Sequence, residues 1–196
     1  GGSGMSSRVH SWYLGNQRFS CQSGQMADLK RPAFDAGQRT SLLGWFQLQR
    51  EIVILKTDGL AEADVHRVVI PTSPLMTVGG LLSHLRWCEH LWFQVAYSGV
   101  AESENPMFED DPEDNEFIVG QGKPLDQLVA EYEEECRRSD AVIAAAGLDD
   151  RGAGTTFPAA GATLGWMIHH MFEETARHAG HLDLIRELLD GEKSYF

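Results

Sequence analysis

The sequence predicts an all-α fold, a bundle of four long helices joined by connections of unequal length. Three observations carry that expectation. Apolar residues recur at helical spacing from residue 37 onward. They fall into four segments of roughly 20 residues, each bounded by capping residues, proline or glycine. No stretch alternates apolar and polar residues far enough for a strand of useful length, although Val65–Ile70 reads as a short extended piece.

The first segment runs from Gln38 to Thr57. Leu42, Trp45, Phe46, Ile52 and Leu55 give it a wide apolar face, and Asp58-Gly59 supplies its stop. Residues 60–76 form a connection in which Pro71 and Pro74 bar a regular helix. The second segment starts at Thr77, an N-cap residue type, and ends at Gly99. Residues 101–122 are acidic and aperiodic and read as a solvated loop; the run Glu109–Glu116 lacks the ligand spacing and central glycine of a calcium-binding loop. The third segment begins with Pro124 in its first turn, reaches about Ala146 and stops at Gly147. The fourth opens at Thr163 and runs to Leu189, before Asp190-Gly191.

A chain of 196 residues buries a real core as one domain. Residues 37–196 are expected to form the bundle. Residues 1–36 read as a tag remnant (Gly1 to Gly4) followed by a flexible N-terminal extension, with the compact part opening near Met26. The net charge of −13 repels phosphate backbones and argues against nucleic acid. No apolar run approaches the roughly 20 residues that span a bilayer, so no membrane partner is expected. The N-terminus lacks a basic-then-apolar signal pattern. Three cysteines at unrelated spacings make no disulfide framework and fit a reducing cytoplasm.

The fourth segment places His170, Glu174, His178 and His181 within twelve residues, on a stripe shared with Met167, Met171, Leu182 and Ile185. At about 100° per residue, Glu174, His178 and His181 lie roughly 40°, 80° and 20° around from His170. His170 and His178 are about 12 Å apart along the axis, so only neighbours one turn apart can share an ion. Two ligands from one helix do not make a site. The second segment offers a third in His84, whose helical neighbours Leu81, Trp87, Cys88 and Leu91 mark an apolar stripe. His90, six residues on, is expected on the opposite, exposed side. Spacing alone leaves two readings open. A lone histidine on an apolar face is ordinarily packed with one hydrogen bond, and a Glu–His pair at i, i+4 is ordinarily a surface ion pair. Cys88, one turn from His84, is either a buried apolar cysteine or an extra ligand.

The segments Leu81–Phe93 (LLSHLRWCEHLWF) and Trp166–Gly191 (WMIHHMFEETARHAGHLDLIRELLDG) resemble the two signature segments of the DinB-like metalloprotein superfamily. The likeness spans roughly residues 35–192 and is nearest to the actinobacterial branch with mycothiol-dependent maleylpyruvate isomerase and mycothiol S-transferases. It implies a DinB-like four-helix bundle, often dimeric, with a divalent metal held by three side chains. By position these are His84, Glu174 and His178. The wider family pattern has His-x-x-x-His on the last helix; Glu174 departs from it and matches the mycothiol-dependent branch.

Two histidines and one carboxylate leave a divalent ion with net positive charge and an open position. The function expected is that of a metal-dependent transferase. A low-molecular-weight thiol, mycothiol on the resemblance, binds as thiolate and attacks a small electrophile. Zinc is the expected metal, with nickel or iron as alternatives. An isomerase, a hydrolase or a non-catalytic metal-stabilised binding protein are the alternative functions. His170 and His181, each one turn from an expected ligand, are candidates for orientation or proton transfer. Arg177 at the rim and Trp87 are candidates for cofactor binding, whereas Trp92 and Phe93 read chiefly as aromatic core.

Overall fold

A computed structural model describes residues 29–108, 113–155 and 161–193. The expected opening of the compact part at Met26, and the extension before it, lie outside these residues. The protein is the all-α bundle expected from the sequence. Its helices are α1 (Gln38–Leu55), α2 (Val78–Glu89), α3 (Asn115–Ile118), α4 (Leu125–Ala145) and α5 (Leu164–Asp190). The long helix begun by α2 continues without a break as a π-helical stretch, His90–Tyr97. Short 3₁₀ turns occupy Glu62–Asp64, Glu102–Glu104 and Pro106–Phe108.

The caps are those the residue types dictate. Thr77 Oγ1 accepts from the Gly80 N–H at 3.0 Å, and Thr163 Oγ1 from the Trp166 N–H at 3.3 Å. Gly191 takes a φ of 79° to end α5, a conformation that favours glycine. Among the described residues there is no strand, only an isolated bridge between Arg151 and Thr163. The extended piece expected at Val65–Ile70 forms no strand; it opens with a turn at Val65 and His66. Val65 is fully buried and its carbonyl accepts the Gly79 N–H at 2.8 Å, so this segment braces the start of α2 instead of pairing with a neighbour.

Two core clusters fix the helix directions. One joins the end of α1 (Leu48, Ile52, Val53) and the end of α5 (Leu182, Ile185, Leu189) to the starts of α2 and α4 (Leu81, Leu85, Leu128). The other joins the start of α1 (Leu42, Phe46) and of α5 (Met167, Ile168, Met171) to the π-helical stretch and Ile143 of α4. Thus α1 and α5 run one way and α2 and α4 the other. The closest packing is α1 along α5 and α2 along α4, with α2 also touching α5. Trp45, expected on the apolar face of α1, stands at its edge and is 36% exposed.

This arrangement makes the second long helix the central one. From Val78 to Ala96 every residue but Arg86 and Trp87 is buried. The face opposite His84 therefore meets α4 and not water, which corrects the expectation for His90: it is 3% exposed, with Nδ1 3.3 Å from Glu135 Oε1. A helix covered on all sides has no solvent face for a polar residue to mark.

Three helices are also tied by a buried ion pair. Arg50 of α1 holds both oxygens of Glu89 with Nε at 2.8 Å and Nη2 at 2.7 Å, and reaches Asp140 of α4 with Nη1 at 2.7 Å. Its guanidinium lies 3.9 Å over the Phe46 ring. Removing one partner strands a charge in the core. Arg50→Ala is expected to cost about 3–5 kcal/mol in denaturant unfolding, and Arg50→Met combined with Glu89→Leu to recover most of that loss. A single variant as stable as the parent would show the pair to be incidental.

Candidate metal centre

Where α2 meets α5, three side chains converge on one atom. Glu174 Oε1 lies 3.1 Å from His84 Nε2 and 3.1 Å from His178 Nε2. The second contact follows from i, i+4 spacing on α5, and the first needs the packing of α2 against that helix. Cys88 Sγ is 3.4 Å from His84 Nε2, and the ligand atoms of His84, Cys88 and Glu174 all lie within 4.8 Å of one another. Both histidines are 8% exposed.

The contacts continue outward in both directions. On one side, His84 Nδ1 sits 3.3 Å from Glu116 Oε1, and the Phe117 ring stacks on the His84 ring at 4.3 Å. On the other, His178 Nδ1 sits 3.2 Å from His181 Nδ1. The result is one line of ionisable groups: Glu116, His84, Glu174, His178, His181.

Its electrostatics follow from donor counting. A carboxylate oxygen only accepts, so each imidazole Nε2 facing Glu174 must present a proton or share a cation with it. Burial would lower the pKa of His84, but hydrogen bonding to Cys88, Glu116 and Glu174 outweighs it and raises the value to about 11. Hydrogen bonds from His178 and His84 hold Glu174 far below the usual carboxylate range, against its burial. Burial, with the positive charges of His178 and Arg177, lowers His181 and keeps it neutral at neutral pH. Burial pushes the Cys88 thiol up, although His84 pulls the other way. The centre thus retains positive charge on an imidazole held between two carboxylates.

The separations suit an ion as well as a proton. A tetrahedral ion with bonds of about 2.0–2.3 Å keeps its ligand atoms roughly 3.3–3.8 Å apart. The nitrogen–oxygen and nitrogen–sulfur separations here are 3.1 and 3.4 Å. Nitrogen, oxygen and sulfur donors together suit a borderline divalent ion such as zinc.

The family model for mycothiol-S-transferase matches residues 41–191, most of the chain. The chain belongs to the mycothiol-S-transferase family. No curated protein matches it. The match agrees with the resemblance carried by the two signature segments, and the family name implies a mycothiol-related transferase activity.

Within this family member the other expected site residues are placed as follows. His170 lies against two rings that also touch each other, with centroids 4.5 Å from Trp92 and 5.6 Å from Trp166. Trp87 lies under the Arg86 guanidinium at 3.3 Å and meets His90 edge-on at 5.4 Å, on the α4 side of the central helix. Arg177 pairs with Glu173 on the exposed face of α5. Trp92 and Phe93 belong to the core. Asp183 pairs with Lys56, and Arg186 holds the carbonyls of Lys56 and Asp58, so both fasten α5 to the end of α1.

Two residues were not legible as part of this centre. Glu116, expected in a solvated loop, is 7% exposed and faces His84. Phe117 covers the His84 ring. Neither has a spacing that ties it to His84; the one signal is that Phe117-Ile118-Val119 ends the acidic run with apolar residues.

The shifts set a pH dependence for the metal-free protein. The folded pKa of His84 is raised above its ordinary 6.5, so its contribution is complete below pH 6.5 and is lost as pH climbs towards about 11. Glu174 is depressed below 4.5, so its contribution is present above that pH and lost in acid. With chelator present, unfolding free energy is expected to fall between pH 6.5 and 9 by at most about 1.4 kcal/mol per unit. His84→Gln should flatten that slope; an unchanged slope would contradict the charged state assigned to His84.

Proposed function

We propose that this protein is a metal-dependent thiol S-transferase in which His84, Glu174 and His178 hold a divalent ion. Zinc is the metal this donor set favours, ahead of nickel or iron. The thiol is proposed to be mycothiol, and the second substrate a small electrophile. The observation that carries the reading is the meeting of His84 Nε2 and His178 Nε2 at a single oxygen of Glu174. A divalent ion bound there supplies one thing, a lowered pKa for a coordinated thiol, which makes its sulfur a nucleophile at neutral pH.

The chain's own groups do the rest. The three side chains bring one negative charge, so a divalent ion among them keeps a positive charge that favours an anionic sulfur. Glu174 joins α5 to α2 and keeps both Nε2 atoms turned inward. His181, neutral and only partly buried, presents a ring nitrogen able to take the proton that an incoming thiol gives up. In this reading His170, engaged by Trp92 and Trp166, serves as an aromatic wall and not as a proton carrier. Trp87, under Arg86, and Arg177, paired with Glu173, stand outside the reacting group. Residence in the cytoplasm and assembly as a homodimer complete the proposal. The first rests on free Cys88 and Cys136. Among the described residues no helix is long and apolar enough to cross a membrane.

Cys88 favours a second reading. If its sulfur joins the other three side chains on the ion, the site is closed and the metal is structural. Thiol binding separates the two: an open site takes up the small thiol, a closed one does not.

His84→Ala and His178→Ala are each expected to lower the zinc content of purified protein at least about tenfold. Elemental analysis checks this, and full occupancy in both variants sinks the assignment. His181→Ala should keep its metal and lose about a hundredfold or more in turnover of mycothiol with a chromogenic electrophile. Loss of the metal itself would make His181 part of the holding group. A panel of small thiols tested on the same electrophile should show activity with mycothiol above the others.

A further inference from the structure

We infer that Glu116 is a positioning residue that fixes the ring of His84, so that Nε2 and not Nδ1 serves the metal centre. The inference rests on His84 being a ligand, and adds to that reading a carboxylate from a different part of the chain. Within the acidic stretch 101–122, Glu113 and Asp114 are open to solvent. At Asp114 the backbone enters the left-handed region, with φ 58°, the one described non-glycine residue to do so. The next turn, α3, carries Asn115 and Glu116 inward.

That turn is docked on the residue before His84. Ser83 Oγ donates to the Glu116 carbonyl at 2.5 Å. Gly120 lies so close that a Cβ there would come within 2.4 Å of Ser83 Cβ. With its backbone held at Ser83, Glu116 reaches the neighbouring side chain, and Phe117 closes over the face of the same imidazole.

Burying a carboxylate is costly unless it is paired, and the partner that the structure gives this one is His84 Nδ1 at 3.3 Å. Because a carboxylate accepts, Nδ1 carries the hydrogen. When a cation takes the place of the proton on Nε2, the lone pair available to it is then on the nitrogen that faces Glu174 at 3.1 Å. Carboxylate partners of this kind set the tautomer and basicity of metal-binding histidines, and their loss typically costs 10–100-fold in metal affinity.

The test uses the full chain, stripped by chelator and titrated with zinc against a competing chelator. Glu116→Ala is expected to bind zinc about 10–100-fold more weakly than the parent, with Glu116→Gln between them. Ser83→Ala, which loosens the dock but leaves the carboxylate in the chain, is expected to weaken zinc binding less than Glu116→Ala does. Long-range ¹H–¹⁵N spectra of the zinc-loaded parent should show His84 with its hydrogen on Nδ1, a signature lost in Glu116→Ala. Parent-like affinity in both Glu116 variants, or an Nε2-protonated His84, overturns the inference. If His84→Ala binds zinc as the parent does, the underlying metal reading fails as well, and that result is distinct from the others.

Discussion

An oxygen that can only accept, faced at 3.1 Å by nitrogens from two imidazoles, requires a hydrogen on each nitrogen or a cation in the space they share. In the absence of metal protons meet that requirement, and hydrogen bonds to Cys88, Glu116 and Glu174 raise the pKa of His84 to about 11 against its burial. In the reading proposed here a divalent ion takes the proton's place. Much of the surrounding structure serves that convergence. It has to bring α2 and α5 together at the level of His84 and Glu174, keep water from neutralising the need, and hold the outer nitrogens of both rings. Glu116 does the last task for His84, while the outer nitrogen of His178 lies 3.2 Å from His181 Nδ1.

The bundle meets these demands through its central helix. Because α2 is covered almost all round, any polar side chain on it faces another helix and must find a partner there. Its polar residues are accordingly shared out. His84 goes to α5 and α3, Glu89 to Arg50 of α1, and His90 to Glu135 of α4. The bidentate Arg50–Glu89 pair starts at the residue after Cys88, so the same stretch of helix that carries the candidate ligands is fastened to α1. The loop before α5 then covers the far end of the central helix, where Ala153 and Gly154 donate backbone hydrogen bonds to the Tyr97 and Ala96 carbonyls at 2.7 and 3.1 Å.

What could be seen in the sequence was whatever depends on local periodicity. The four long helices, the Thr77 and Thr163 caps and the glycine stop at Gly191 follow from residue types and 3.6-residue spacing. So does the sharing of one face by Glu174 and His178. The inward direction of His84 was legible too, because Leu81, Trp87, Cys88 and Leu91 mark the stripe it sits on. Periodicity failed where burial is not one-sided. His90 looks like a surface residue on a helical wheel only if the helix has a surface. From His90 to Tyr97 the backbone is π-helical, so a wheel drawn at 100° per residue loses its phase there. Glu116 and Phe117 were hidden for another reason. Their partnership with His84 spans about thirty residues and depends on one left-handed residue and one close glycine approach, neither of which leaves a spacing pattern. Val65–Ile70 looked extended because it is rich in β-branched residues, yet among the described residues there is no strand for it to pair with.

Anomalous diffraction from crystals grown with zinc tests the central claim most directly. Data collected on either side of the zinc absorption edge should show a dominant peak within about 2.0–2.3 Å of His84 Nε2, a Glu174 carboxylate oxygen and His178 Nε2. A zinc-replete crystal with no peak between those three side chains, or with its metal bound elsewhere, would contradict it.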